Sequence, residues 1–253
     1  MSVPSPPRLH VNVDHVATLR QARREDFPDP VDWAVRCLAA GADGITCHVR
    51  KDRRHVQDAD VHRLRAAFDA VLNLETSLDE EMLRLAEKSR ADAFCLVPEN
   101  RLEITTEGGM DVVREKARLA EAVPRLTEAG GVVSLFVDPD PTQLDACREV
   151  GAPFVELHTG AYANARGDER SAVRDAELER LRVATRHAID IGLRVNAGHG
   201  LDYDNVRPVA ALEGVEELNI GFAMVARAVF TGVDEAVESM RREIAAGAGG
   251  QAG

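Results

Sequence analysis

The densest chemistry in the chain lies in His48-Val49-Arg50-Lys51-Asp52-Arg53-Arg54-His55. This segment closes an apolar run beginning at Ile45. In a strand His48 and Arg50 point to the same face, because side chains alternate with period two. A proton-transfer group then stands beside a guanidinium fork that can clamp an anion. Lys51 and Asp52 read as a solvated charged loop. A second cluster is Val195-Asn196-Ala197-Gly198-His199-Gly200. Glycines flanking a histidine let the backbone approach a ligand closely and leave amides pointing outward. A third, Asn219-Ile220-Gly221-Phe222-Ala223, passes straight into a helical run ending near Val229. Backbone N–H groups at such a helix start form a phosphate seat.

Three carboxylates, Asp14, Glu75 and Glu156, can move protons near neutral pH where burial raises a pKa. Glu75 follows Val71-Leu72-Asn73-Leu74, so it is expected to be partly desolvated. The same groups could ligate a metal. The histidines come singly, however, with no HxH and no HExxH, and no metal is expected.

These residues need elements to position them. Eight short apolar runs read as strands: Leu9–Val13, Ile45–Val49, Val71–Leu74, Ala93–Val97, Val132–Val137, Phe154–Leu157, Leu193–Asn196 and Glu217–Ile220. Between them lie amphipathic stretches with helix signals. Asp29-Pro30 is an N-cap followed by a first-turn proline, and Gly41 closes the segment. Ser77-Leu78-Asp79-Glu80 has the form of a capping box. Further helices are expected over Arg114 to Ala129, interrupted or kinked at Pro124, and over Ala172 to Ile191.

Near-continuous apolar strands separated by helices imply a parallel sheet buried on both faces. Eight of them in 253 residues predict an α/β fold, a closed parallel (β/α)8 TIM barrel with extra helices. An open doubly wound sheet would want a Gly-rich dinucleotide turn, which is missing. One domain is expected over residues 1–253, with disordered tails at 1–7 and 245–253. Polar residues close every strand: Asn12, Asp14 and His15; His48 and Arg50; Glu75; Pro98, Glu99 and Thr105; Asp138; Glu156 and His158; Asn196 and His199; Asn219 and Gly221. In a barrel these ends meet at one mouth, where barrel active sites are built.

Composition narrows the partners. Lys and Arg number 31 against 43 Asp and Glu, a net charge of −12, which disfavours nucleic acid or an anionic membrane. No apolar run approaches the roughly 18 residues that span a bilayer. Met1 to Pro7 is Pro-rich and lacks a secretory layout, so a cytoplasmic location is expected. Cys37, Cys47, Cys95 and Cys147 show no paired spacing and read as small core residues.

At these positions the chain resembles the pyridoxine 5'-phosphate synthase family. The matching stretches are VNVDHVATLRQAR (Val11–Arg23), GADGITCHVRKDRRHV (Gly41–Val56), NLETS (Asn73–Ser77), LVPENRLEITTEGGMDV (Leu96–Val112), VSLFVD (Val133–Asp138), GAPFVELHTGAYA (Gly151–Ala163), VNAGHGLDYDNV (Val195–Val206) and ELNIG (Glu217–Gly221). The resemblance implies a barrel enzyme that condenses 3-amino-2-oxopropyl phosphate with 1-deoxy-D-xylulose 5-phosphate into pyridoxine 5'-phosphate, phosphate and water. By motif match His48 and Glu75 take acid/base roles, His199 donates a proton, and Glu156 stabilises developing charge. Asp14, His15, Arg50, His55 and Thr105 match positions holding the deoxyxylulose phosphate. Asn12, Arg23, Gly200 and Gly221-Phe222 match those holding the amino ketone phosphate. The family implies no metal, no cofactor, and a homo-oligomer, an octamer built from dimers. One position departs: the family motif reads Gly-His where this chain has Gly221-Phe222, which removes any imidazole role at 222.

Two other readings stay open. A phosphosugar epimerase or aldolase would also use the mouth, though an aldolase wants a strand-end lysine. Lys51, Lys88 and Lys116 are the only lysines, and none ends an apolar strand in that way. A non-catalytic binder of phosphate ligands is the other.

Overall fold

The computed structural model describes residues 5–99 and 108–249. Its elements run β1 (Arg8–Asn12), α1 (Asp14–Arg23), α2 (Pro30–Ala39), β2 (Gly44–His48), α3 (Asp58–Ala67), β3 (Val71–Thr76), α4 (Glu80–Ser89), β4 (Ala93–Leu96), α5 (Val112–Glu128) and β5 (Val132–Val137). Then follow α6 (Pro141–Glu149), β6 (Phe154–His158), α7 (Gly160–Asn164), α8 (Ser171–Asp190), β7 (Arg194–Gly198), α9 (Val206–Ala210), β8 (Val215–Ile220), α10 (Phe222–Thr231) and α11 (Val233–Gly249). The strands close in sequence order into a barrel, and every pairing is parallel. Pairing of Arg8 to Val11 with Glu217 to Ile220 makes the final seam.

Alternation along each strand sorts its residues between two buried faces. Leu9, Val11, Ile45, Leu72, Leu74, Phe94, Leu135, Val155, Val195 and Leu218 join helix residues such as Leu64, Leu119 and Met240 in one continuous apolar core. The alternate positions face the barrel axis. TIM barrels usually fill that space with branched aliphatic residues. Here His10, Thr46, Asn73, Ser134, Glu156, Asn196, Glu217 and Asn219 are buried. Cys95, Val97 and Phe136 form a small separate apolar cluster.

Helix ends follow local chemistry. Asp29 accepts a hydrogen bond from Val31 N (2.9 Å), with Pro30 in the first turn. Three expectations are corrected. The cap of α4 is Asp79, which accepts from Glu81 N (3.0 Å). Ser77 only receives the Asp79 amide at 3.4 Å, because its backbone still belongs to the strand exit. Pro124 sits within α5 without interrupting it. Residues 245–249, expected to fray, are the last turns of α11. There Gly247 is buried, and a Cβ would stand 2.4 Å from the Arg207 carbonyl, so its missing side chain permits the packing. All four cysteines are free and buried, as their apolar settings imply. No helix among the described residues is long and apolar enough to cross a membrane.

Near the N-terminal end of the barrel, His10 fills the space left by Gly44. A Cβ on Gly44 would lie 2.4 Å from His10 Nε2. Gly44→Ala should therefore destabilise by about 1–3 kcal/mol, the usual cost of overpacking. Adding His10→Ala should recover most of that loss. Urea denaturation of both single variants and the double variant checks the coupling; strictly additive effects would show that the ring and the glycine do not compete.

Candidate functional site

The site is assembled where α1 meets β2. Asn12 Oδ1 accepts from Asp14 N (2.8 Å) and shapes the turn into α1. Asp14 Oδ1 accepts in turn from His48 N (2.8 Å), tying the start of α1 to the end of β2. Burial pushes the Asp14 carboxyl up to about 7.

His48 and Glu75 are register partners on β2 and β3. His48 Nδ1 stands 3.8 Å from Glu75 Oε2, and Nε2 stands 3.8 Å from Glu99 Oε1. Nε2 has no hydrogen-bond partner among the described residues. Burial first, then the neighbouring His55 and Arg50, lowers the His48 pKa to about 3. Burial first, then the charge of Asp14, raises Glu75 to about 8. Near neutral pH the pair is therefore a neutral imidazole, able to accept a proton, beside a carboxyl that still holds one.

A second carboxyl joins from the opposite wall. Asn219 Nδ2 donates to Glu75 Oε1 (3.0 Å) and Glu156 Oε2 (3.5 Å). Glu156 lies well above the ordinary carboxylate range, through burial first and then the charges of Glu75 and Glu217. Gly198 makes room for it, since a Cβ there would lie 2.5 Å from Glu156 Oε1.

His199 stands on a left-handed backbone (φ 85°), followed by Gly200 at φ 78°. Thr159 Oγ1 lies within hydrogen-bond reach of the carbonyls of Gly198 (2.7 Å) and His199 (2.6 Å) and holds this turn. The His199 ring lies 5.5 Å from Phe136 and 5.3 Å from His158. His158 Nδ1 is 2.9 Å from Asp138 Oδ1, and this hydrogen bond holds the Asp138 pKa below its usual value.

Just beyond β2, Arg50 is buried with Nε 3.7 Å from Asp52 Oδ1. His55 Nδ1 accepts from Val56 N (2.8 Å), and burial first, then Arg50, lowers its pKa to about 4. His15 is also lowered, by burial first and then by His55, and packs edge-on to Phe222 at 5.2 Å. Gly221 precedes α10; a Cβ there would lie 3.0 Å from Asn12 Cβ. The Phe222 side chain is 68% exposed.

The structure thus gathers Asn12, Asp14, His15, His48, Arg50, His55, Glu75 and Glu156 with Asn219, and places His199, Gly200 and Gly221 on adjoining strand ends. It does not draw in Arg23, which lies exposed at the far end of α1, about 14 Å along the helix axis from Asp14. Thr105 lies outside the described residues. Sequence reasoning missed Arg20. This buried guanidinium forms two bonds to Asp60 (2.8 and 2.6 Å) and donates to the His55 carbonyl (3.3 Å). Asp60 also accepts from Gln57 N (2.8 Å), completing a capping box at α3. That box was the available signal, but an arginine is seldom fully buried, so nothing in its neighbours marked Arg20 as the anchor.

Asp14, His48 and Glu75 bring one ligand atom each within 4.8 Å of one another, the spacing a cation would need. Their chemistry favours protons. Both carboxyls are raised to about 7 and 8, so a proton competes for them near neutral pH, and Asp14 Oδ1 already accepts the His48 amide.

Among solved structures, the "Native KDPGal structure" matches 98% of each chain with TM-score 0.59 at 13% identity, a likeness of fold alone. The pyridoxine 5'-phosphate synthase of Synechococcus sp. (strain JA-2-3B'a(2-13)) is 55% identical over 92% of this chain and 97% of its own. That of Pseudoalteromonas translucida (strain TAC 125) is 51% identical over 92% of this chain and 95% of its own. The family model described as "Pyridoxal phosphate biosynthesis protein PdxJ" matches residues 9–246, from the first strand into the last helix, and the chain belongs to that family.

Proposed function

We propose that the protein is a pyridoxine 5'-phosphate synthase, condensing 3-amino-2-oxopropyl phosphate with 1-deoxy-D-xylulose 5-phosphate to give pyridoxine 5'-phosphate, phosphate and water. The observation that carries this reading is the buried His48 standing 3.8 Å from Glu75 at the barrel mouth, in a chain half identical to two enzymes of that name. Imine formation, dehydration, phosphate elimination and ring closure each move a proton at a defined atom. His48 Nε2 accepts the proton released by the attacking amine. Glu75 delivers one to a departing hydroxyl and recovers it afterwards. His199 serves as a second donor, and Glu156 supports charge developing between them.

Arg50, His55, His15, Asp14 and Thr105 hold the deoxyxylulose phosphate in this reading. Asn12, Gly200 and the amides of Gly221 and Phe222 hold the amino ketone phosphate, without Arg23, which the fold leaves exposed at the far end of α1. The start of α10 favours an anion through its free amides and dipole, whatever the side chain at 222. Neither a metal nor a redox cofactor enters. We further propose a cytoplasmic homo-oligomer, an octamer built from dimers. An aldolase of the Schiff-base kind is disfavoured because no described strand contains a lysine.

Mixing the purified protein with both substrates should produce pyridoxine 5'-phosphate, followed by mass or absorbance, and prolonged chelation should leave the rate intact. A rate abolished by chelator and restored by a divalent ion would remove the metal-free account.

Glu75→Gln should keep KM and lose about 10²–10⁴-fold in kcat, the typical worth of acid–base catalysis. Stability offers a check on Glu75 that needs no substrate. Its carboxyl is raised in the fold from 4.5 to about 8, so between those values the folded state holds a proton that the unfolded chain has released. The fold loses stability as pH rises through that window. Glu75→Gln should show a shallower decline than the parent in denaturation series; an equal slope would mean that Glu75 is ionised in the fold.

Gly221→Val should raise KM for the amino ketone phosphate steeply, while Phe222→His changes it modestly. If the histidine tightened binding about tenfold, roughly 1.4 kcal/mol, a side-chain contact rather than the amides would hold that phosphate.

A further inference from the structure

Asn219 projects from β8 into the barrel axis, between Glu75 on β3 and Glu156 on β6. One nitrogen serves both carboxyls, at 3.0 and 3.5 Å. A primary amide carries two hydrogens, so each carboxyl can receive one. Asn219 Oδ1 is buried with no hydrogen-bond partner among the described residues. Gly198, whose Cβ would meet Glu156 Oε1 at 2.5 Å and Asn219 Cβ at 3.1 Å, leaves the bridge its space. The titratable groups facing the pair are Asp14 from α1, His48 from β2, Cys95 from β4 and Glu217 from β8. None of these is a fixed cation. Two carboxyls this close, with no cation between them among the described residues, resist ionising together.

We infer that Asn219 is a positioning residue that makes Glu75 and Glu156 a proton-sharing pair: when one carboxyl ionises, the hydrogens of a single amide hold that charge while the other keeps its proton. Whichever carboxyl gives up its proton keeps an N–H donor, and the other remains protonated. Asn219 Oδ1 is left as an acceptor for a substrate N–H or O–H. The consequence for turnover rests on the reaction proposed above; the pairing itself does not.

The test uses Asn219→Leu, similar in size and without donors, and Asn219→Ala, which separates packing from hydrogen bonding. Infrared titration of the substrate-free, 13C-glutamate-labelled protein reads the carboxyls, with Glu75→Gln and Glu156→Gln assigning the bands. Removing a donor to the charged form should move the pair's titration up by about 1 pH unit in both variants. The ascending limb of kcat against pH should move the same way, with kcat at neutral pH down about tenfold or more and KM little changed. Unmoved carboxyl titrations would overturn the inference, even with activity lost, since a merely structural asparagine lowers activity without shifting a pKa. A titration that shifts in a protein showing no turnover with the two substrates would sink the proposed reaction and leave the pairing standing.

Discussion

Closing eight parallel strands into a ring creates an inner surface that water barely reaches, and the chemistry of this protein depends on what that surface holds. One face of the sheet meets the helices through a continuous apolar core. The other meets only itself. Filling it with His10, Thr46, Asn73, Glu156, Asn196, Glu217 and Asn219 instead of aliphatic side chains sacrifices part of the hydrophobic stabilisation such barrels enjoy. In exchange the carboxyls and imidazoles at the mouth sit in a medium that disfavours charge. Burial is the first cause of the shifts of Asp14, His48, Glu75 and Glu156 alike. Carboxyls rise, imidazoles fall, and acids and bases coexist near neutral pH in forms that water would not permit.

Backbone amides hold this arrangement as firmly as side chains do. Asp14 receives the His48 amide, and Glu99 receives the Lys51 amide at 2.8 Å. The segments leaving β1, β2 and β4 therefore share one frame. On the other side, Asp138 joins His158 and also receives the Gly109 amide (3.1 Å), so the sixth strand and the segment beginning at residue 108 meet at one carboxylate. The His199 turn relies on Thr159 and on the room at Gly200, where a Cβ would lie 2.8 Å from Ala163 Cβ.

Much of this was legible in the residues. Apolar runs such as Val132–Val137 are long and uniform enough that all eight strands were placed within about two residues of their ends. Glu75 stood out because it directly follows the apolar run Val71 to Leu74, and β3 carries on past it to Thr76. What escaped notice involves pairs distant in sequence. Arg20 and Asp60 are separated by 40 positions, and Asn219 and Glu75 by 144, so no local pattern relates them. The end of α11 was misjudged for another reason. Ala245 to Gly249 has a composition associated with mobile tails, yet docking of Gly247 against α9 outweighs the weak helix preference of glycine.

The Arg20–Asp60 pair bears on the thermodynamics of ligand capture. Residues 51–57 form a highly charged loop of the kind that often orders only when an anion arrives. Here the His55 carbonyl is fastened to Arg20, and the Gln57 amide to Asp60, by the protein's own side chains. Those tethers place part of the loss of the segment's conformational entropy in the folding of the chain. In the reaction proposed above, a phosphate arriving at this wall would meet a segment already tied to the fold, with less ordering entropy to set against its contacts.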